Sequence, residues 1–353
     1  MKTPSQKKKL LFILKQRQVS GGLGKELKSA GLSNSANYVA DMMNRHGFTA
    51  KVVQVVDNNS INKEVTEFTP DIVIIEALWV VPSKLEILQK LHPTVKWIVR
   101  LHSELSFLAN EGIAFDWINQ LIKIENVYLS TNSPNAQKDL SNYLGAQRLH
   151  HKLIYLPNYY PVLHKITPPK FFWNVGQTIN IGCFGAIRSL KNQLIQAAAA
   201  VEFAEQRGLR CRFHINSSRV ENNSDPVLKN IRAFFAGLDG IHELVEHDWL
   251  DRNEFLALVR TMDIGLQLSF SETFNIVAAD FVNEDIPIVT SSEVNWMPMF
   301  FTAKPTNTTS IINAMRRVLF YDRNFSWLEC QRRALKKYVN KSEYIWVTSM
   351  NTM

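Results

Sequence analysis

Long apolar runs are missing from this chain of 353 residues. None approaches the ~20 apolar residues that cross a bilayer as a helix, so no transmembrane segment is expected and any membrane contact would be peripheral. Leu10–Leu14 is too short for a signal-peptide core and is soon followed by charge; it suits a first β-strand. Cysteine is scarce. Cys183, Cys211 and Cys330 are odd in number and far apart, which argues against a disulfide framework or Cys-rich metal site and suits a reducing, cytoplasmic setting. No Asp-x-Asp pair occurs. The loop Ser20-Gly21-Gly22-Leu23-Gly24-Lys25 lacks Gly-x-x-x-x-Gly-Lys-Ser/Thr spacing, which argues against a P-loop. Acidic charge is sparse near both ends. Residues 1–28 hold eight Lys/Arg and one acid, residues 316–341 hold eight and two, and the rest is net −5 within a total of +8. Such basic stretches attract polyanions, unless they are only a solvated surface.

What is present suffices for two α/β domains. Short apolar runs alternate with amphipathic segments, the pattern of βαβ units. Strands are expected at Lys9–Leu14, Ala50–Val56, Ile72–Ile75, Lys96–Leu101 and Asn126–Ser130, with a helix from Ser33 as N-cap to His46. A second series has strands at Ile179–Phe184, Arg210–Ile215, His242–Glu246, Ile264–Leu268 and Ile286–Thr290. Its helices are expected at Gln193–Arg207, Pro226–Ala236, Arg252–Arg260, Phe274–Asn283 and Ser310–Phe320, and a last helix from Trp327 to about Val347. The proline-rich span between the series is a connection. The expected division is residues 1–160, a linker at 161–178, a second domain at 179–325, and a terminal helix at 326–353.

The segment Ser271-Glu272-Thr273-Phe274-Asn275-Ile276-Val277-Ala278-Ala279-Asp280 carries the most chemistry. It follows a buried strand and opens a helix, so free N–H groups and the positive end of the helix dipole can face a phosphate. Glu272 in the turn can reach sugar hydroxyls. Asp280, eight positions on and about two turns into the helix, can accept from a ribose diol. The segment resembles the Glu-x7-Glu motif of retaining GT-B glycosyltransferases, especially family 4. Glu272, Phe274, Val277 and Asp280 match in order and spacing; Thr273 and Asn275 replace two glycines, and Asp280 replaces the second Glu. The resemblance implies a GT-B fold: two Rossmann-like domains facing each other across a cleft, the C-terminal helix crossing back to the first.

Further roles follow from the resemblance. Gly182-Cys183-Phe184-Gly185-Ala186-Ile187-Arg188-Ser189-Leu190-Lys191-Asn192 is similar to the segment whose Arg and Lys neutralise the donor diphosphate. Lys191 matches; Arg188 stands two residues from the usual place, which Ala186 occupies. The N–H groups of Thr273, Phe274 and Asn275 would assist, and fixed cations would stabilise the leaving diphosphate, so the resemblance implies no metal and no cofactor. Gly22 lies in a loop resembling the one that reaches the donor phosphates. Trp249 is a candidate to stack on the nucleobase, or a packing residue. His102, past the strand Trp97–Leu101, is similar to a His that faces the transferred sugar. Glu76 and Glu104 are candidate acceptor contacts; Glu76 is otherwise a salt-bridged strand-end residue, and Arg100 and Glu104 otherwise pair at the surface.

The implied activity is retaining transfer of a sugar from a nucleotide donor, with UDP as nucleotide, to a hydroxyl. Wording such as Gly31-Leu32-Ser33-Asn34-Ser35-Ala36 resembles glycosyltransferase-like proteins of tailed phages. With the basic stretches, it points to double-stranded DNA carrying hydroxymethylated pyrimidines as acceptor, in a host cytoplasm, with base flipping and salt-sensitive binding. The alternatives are a glycan or lipid-linked acceptor, and a non-catalytic binding protein on a degenerate GT-B scaffold.

Overall fold

The computed structural model describes residues 7–16, 31–162, 173–221, 223–320 and 326–353. The chain forms two compact units, Met1–Pro161 together with Val339–Met353, and Val162–Tyr338.

The first unit runs β1 (Lys9–Lys15), α1 (Gly31–Arg45), β2 (Thr49–Val55), α2 (Ile61–Phe68), β3 (Ile72–Glu76), α3 (Pro82–Leu91), β4 (Lys96–Leu101), α4 (Leu105–Leu108), α5 (Ala114–Leu121), β5 (Val127–Thr131), α6 (Pro134–Gly145) and β6 (Leu153–Tyr155). All strands are parallel, in the order β2-β1-β3-β4-β5-β6. Continuous apolar runs make such strands because both faces are covered. Leu11, Ile13, Val73, Ile75, Trp97 and Val99 share one buried cluster with residues of α3, α5 and α6. The alternate residues Leu10, Phe12, Ile72, Ile74 and Ile98 are equally buried. The helix expected to be capped by Ser33 already includes Gly31, so Ser33 lies inside it and its carbonyl accepts from Asn37 Nδ2 at 2.9 Å. Three-residue β6 is too short to stand out as an apolar run.

The second unit runs β7 (Thr178–Gly182), α7 (Gln193–Glu205), β8 (Arg210–Asn216), α8 (Asp225–Ala236), β9 (Glu243–His247), α9 (Arg252–Val259), β10 (Ile264–Gln267), α10 (Ile276–Asn283), β11 (Ile288–Thr290) and α11 (Thr308–Phe320). Its parallel sheet has the order β11-β10-β7-β8-β9. The closing helix α12 (Ser326–Thr352) starts in this unit, and its residues from Val339 onward belong to the first. Strand order reverses between β1 and β3 in one sheet and between β7 and β10 in the other. Crevices at such switch points bind ligands in open α/β sheets.

Phe281 of α10 sets the geometry at the second switch point. Its ring is fully buried and lies over Gly182 of β7 and Gly265 of β10. A Cβ on Gly265 would come within 2.6 Å of Phe281 Cδ1, and one on Gly182 within 2.8 Å of Phe281 Cζ. Only glycine at both positions lets the helix approach this closely. The first unit has a different centre. Strand register places Glu76 beside Arg100, and both are fully buried. The Arg100 guanidinium bonds both Glu76 oxygens (3.2 and 3.1 Å), the carbonyls of Leu156 and Pro157 (3.1 Å each) and Asn158 Oδ1 (2.7 Å). Trp346 of α12 stacks on it at 5.2 Å and donates its indole N–H to Pro157 O at 2.7 Å. Burial alone would raise the Glu76 carboxyl, but Arg100 and His102 outweigh it and hold it below the usual carboxylate range.

Two outcomes follow. Gly265→Val should lower stability by about 1–3 kcal/mol through overpacking, read as a lower midpoint in urea; an unchanged midpoint would contradict the close packing. Glu76→Gln should cost roughly 3 kcal/mol, because the buried guanidinium loses its counter-charge. The depressed carboxyl stabilises the fold above its unfolded value near 4.5, and that contribution is lost as pH falls through its folded value. Acid unfolding of Glu76→Gln should therefore show a flatter pH dependence than wild type below pH ~5.

Candidate functional site

In the second unit, two loops leave the carboxyl ends of β7 and β10 side by side. Phe270 N–H donates to Leu190 O at 2.8 Å, and Asn192 Nδ2 donates to Leu268 O at 3.1 Å and to Pro305 O at 2.7 Å. Gly185, at φ +119°, offers its N–H to Asn216 Oδ1 at 3.0 Å. These ties bring Lys191 to Glu272, and the two form an ion pair through Glu272 Oε1. The same oxygen accepts from Ser269 Oγ at 2.9 Å and Asn275 Nδ2 at 3.1 Å.

The substitution of glycine by asparagine at 275 has a backbone reason. Asn275 sits at φ 60°, ψ 84°, a region that asparagine tolerates better than most residues. Its side chain also caps α10, accepting from Ala278 N–H at 2.9 Å. The helix therefore starts at Ile276, two residues later than expected. Thr273 and Phe274 lie in the loop before it, their carbonyls accepting from Asn295 Nδ2 (3.3 Å) and Trp296 Nε1 (2.7 Å). The Phe274 ring is buried and stacks on Tyr338 at 5.2 Å. Asp280 is about one turn into the helix rather than two. It is buried and bonded to Arg252, the first residue of α9, at 2.5 Å.

Arg188 pairs with Glu221, as does Arg219. Arg219 in turn lies 4.5 Å over the Trp249 ring, so one face of this indole carries a guanidinium. Burial would raise the Glu221 carboxyl, but Arg188 and Arg219 outweigh it and hold it low. Glu293, in the loop after β11, is half-buried; burial and the charge of Glu272 raise its carboxyl. Burial pushes the Cys183 thiol up to about 12, which removes it as a nucleophile at neutral pH. His214 on β8 meets His247 at 2.9 Å and Asn180 at 3.2 Å; burial, then the neighbouring positive groups, lowers it to about 4.

In the first unit, His102 follows β4 and bonds Glu76 through Nε2, while Asn132 Nδ2 reaches its Nδ1 at 3.3 Å. This pairing makes Nε2 the protonated nitrogen and Nδ1 the acceptor. Burial and Arg100 lower its pKa, with Glu76 opposing. Arg100 and Glu104 do not pair at the surface: Arg100 is buried on Glu76, and buried Glu104 accepts from Ser133 Oγ. Gly22 lies outside the described residues.

The structure thus gathers Arg188, Lys191, Glu272, Thr273, Phe274 and Asn275 on the adjoining loops of one switch point, with Trp249 linked to Arg188 through Arg219 and Glu221, and Asp280 further along α10, paired with Arg252. Sequence reasoning missed Ser269, Arg219, Glu221, Arg252 and Glu293. Ser269 lies three residues before Glu272, and the bridge Ile187↔Val220 brings 219–221 beside 187–188. Among the described residues no group of three or more His, Cys, Asp or Glu is placed to hold a metal ion, and no helix is long and apolar enough to cross a membrane.

No family model matches the chain, and no curated protein matches it. Solved structures do. A trehalose-6-phosphate protein from E. coli bound with UDP-2-fluoro glucose aligns over 98% of this chain and 99% of its own, with a TM-score of 0.66 and 11% identity. A UDP-forming α,α-trehalose-phosphate synthase from Burkholderia xenovorans aligns over 97% and 98%, with a TM-score of 0.63 and 11% identity. A trehalose-6-phosphate synthase studied for glycosyltransfer with retention aligns over 93% and 85%, with a TM-score of 0.60 and 12% identity. The narrower likeness to family 4 and to phage proteins stays a matter of sequence wording. At these identities the likeness is one of fold, and the fold is that of the GT-B glycosyltransferases.

Proposed function

We propose that this chain is a glycosyltransferase that takes a sugar from a UDP-sugar, with the donor held at the β7/β10 switch point. The observation that carries this reading is the Lys191–Glu272 pair beside the start of α10, with Arg188 on the adjoining loop. An ammonium has three N–H donors, so Lys191 can keep Glu272 and still meet a phosphate oxygen. Arg188 and the N–H groups of Thr273, Phe274 and Asn275 complete an environment for a diphosphate. As the bond from the sugar's anomeric carbon to the diphosphate oxygen breaks, negative charge builds on that oxygen, and these fixed donors stabilise it. Glu272 holds sugar hydroxyls. Asp280 faces the ribose as one half of its pair with Arg252, and Trp249 is the aromatic candidate to contact the base.

His102 is proposed to act in the transfer step, through Nδ1, whose contact with Asn132 is long enough to yield to a substrate hydroxyl. Retention is supported by the solved structure studied for that stereochemistry. The neighbours' named product, trehalose phosphate, supports a carbohydrate hydroxyl as acceptor. A DNA acceptor draws only on the phage-like wording and on the basic stretches 1–28 and 316–341, parts of which lie outside the described residues.

The test is binding and transfer with UDP-glucose. Lys191→Ala should weaken UDP binding about tenfold or more, the scale of a charge-assisted contact. Glu272→Ala should leave UDP binding intact and cut sugar transfer by roughly a hundredfold or more. His102→Ala should lower kcat at unchanged UDP affinity. Acceptors to offer are simple sugars, sugar phosphates and duplex DNA with and without hydroxymethylated pyrimidines. UDP affinity indifferent to Lys191→Ala, or full transfer by Glu272→Ala, would overturn the assignment.

A further inference from the structure

Glu272 is held by more than its ion pair. Its Oε1 accepts from three donors, Lys191, Ser269 and Asn275. No donor within the described residues reaches Oε2. The polarity of this arrangement is fixed from behind. Gln267, at the end of β10, donates Nε2–H to Phe184 O at 2.9 Å, which leaves its Oε1 as acceptor. Asn275 Oδ1 is committed to the Ala278 N–H at 2.9 Å, so its Nδ2 must be the donor, to Gln267 Oε1 at 2.9 Å and to Glu272 Oε1 at 3.1 Å. Both amides are almost wholly buried, Gln267 at 2% and Asn275 at 6% exposure. Neither can flip without stranding a buried polar group.

We propose that Gln267 and Asn275 are positioning residues that orient Glu272, with Oε2 reserved for a hydroxyl of the transferred sugar. This rests on the donor reading above. Neither side chain touches the ligand; both act through Glu272. A carboxylate fixed in this way only accepts. It selects the hydroxyl-bearing sugar moiety and does nothing for the nucleotide. The asparagine thus takes on a function that a glycine at the same left-handed position could not have.

The test separates that role from simple structural support. Asn275→Asp keeps the shape, the αL backbone and the acceptor for Ala278 N–H, but replaces the two donated bonds with a second carboxylate against Glu272. Like charges at this range raise the pKa of the pair. The readout is the ratio of the UDP to UDP-glucose dissociation constants, measured by calorimetry from pH 6 to pH 8. Wild type should bind UDP-glucose more tightly than UDP, with a flat ratio across this range. In Asn275→Asp the ratio should fall about tenfold and become pH-dependent. Asn275→Gly, which suits the backbone at φ 60°, should lower the ratio without making it pH-dependent, and serves if the aspartate variant does not fold. A wild-type ratio in either variant, or no gain from the glucose moiety in wild type, would overturn the inference and leave the donor site standing. Failure of wild type to bind UDP at all would overturn the donor reading, and this one with it.

Discussion

The second unit depends on the contact of one ring with two glycines. Phe281 lies where β7 and β10 have no side chains, and this lets α10 settle close against the sheet at its switch point. Everything that makes the site chemical follows from that approach. The loop before α10 carries Glu272, the start of the helix supplies N–H groups, and the loop after β7 lies near enough for Lys191 to meet Glu272. A helix displaced outward by one methyl group would carry Glu272 with it, and core packing transmits such shifts rather than absorbing them.

Charge is spent carefully around this site. Each described acid of the cluster except Glu293 is matched by a cation: Glu272 by Lys191, Glu221 by Arg188 and Arg219, Asp280 by Arg252. Such pairing holds the carboxylates and cations in fixed positions with respect to one another. On the proposed reading a diphosphate would then meet a preset framework, which reduces the cost of ordering side chains on association. The first unit uses the same device for a different end. Arg100 sits in the interior of a sheet, and its guanidinium joins β3, β4, the segment 156–158 and Trp346 into one block.

Much of the fold was legible because parallel strands buried on both faces leave continuous apolar runs, as in Ile72–Ile75 and Trp97–Val99. β6 escaped because three residues carry no pattern, and α10 began late because an asparagine in the left-handed region took the cap. Arg100 was read as a surface residue because charged side chains are seldom buried; its burial becomes visible only once register puts Glu76 next to it. Lys191 and Glu272 were legible as a pair only through resemblance, since 81 residues separate them. Arg252 and Arg219 were not legible at all. Their roles come from which strand ends adjoin, and local sequence does not encode that.

The most direct test of a donor site at the β7/β10 switch point is amide hydrogen exchange with and without saturating UDP-glucose. Slowed exchange should be concentrated in residues 183–192 and 269–280, the two loops and the first turns of α10, and Lys191→Ala should abolish it at the same ligand concentration. Protection confined to other segments, or none where calorimetry records binding, would place the donor elsewhere and contradict the site described here.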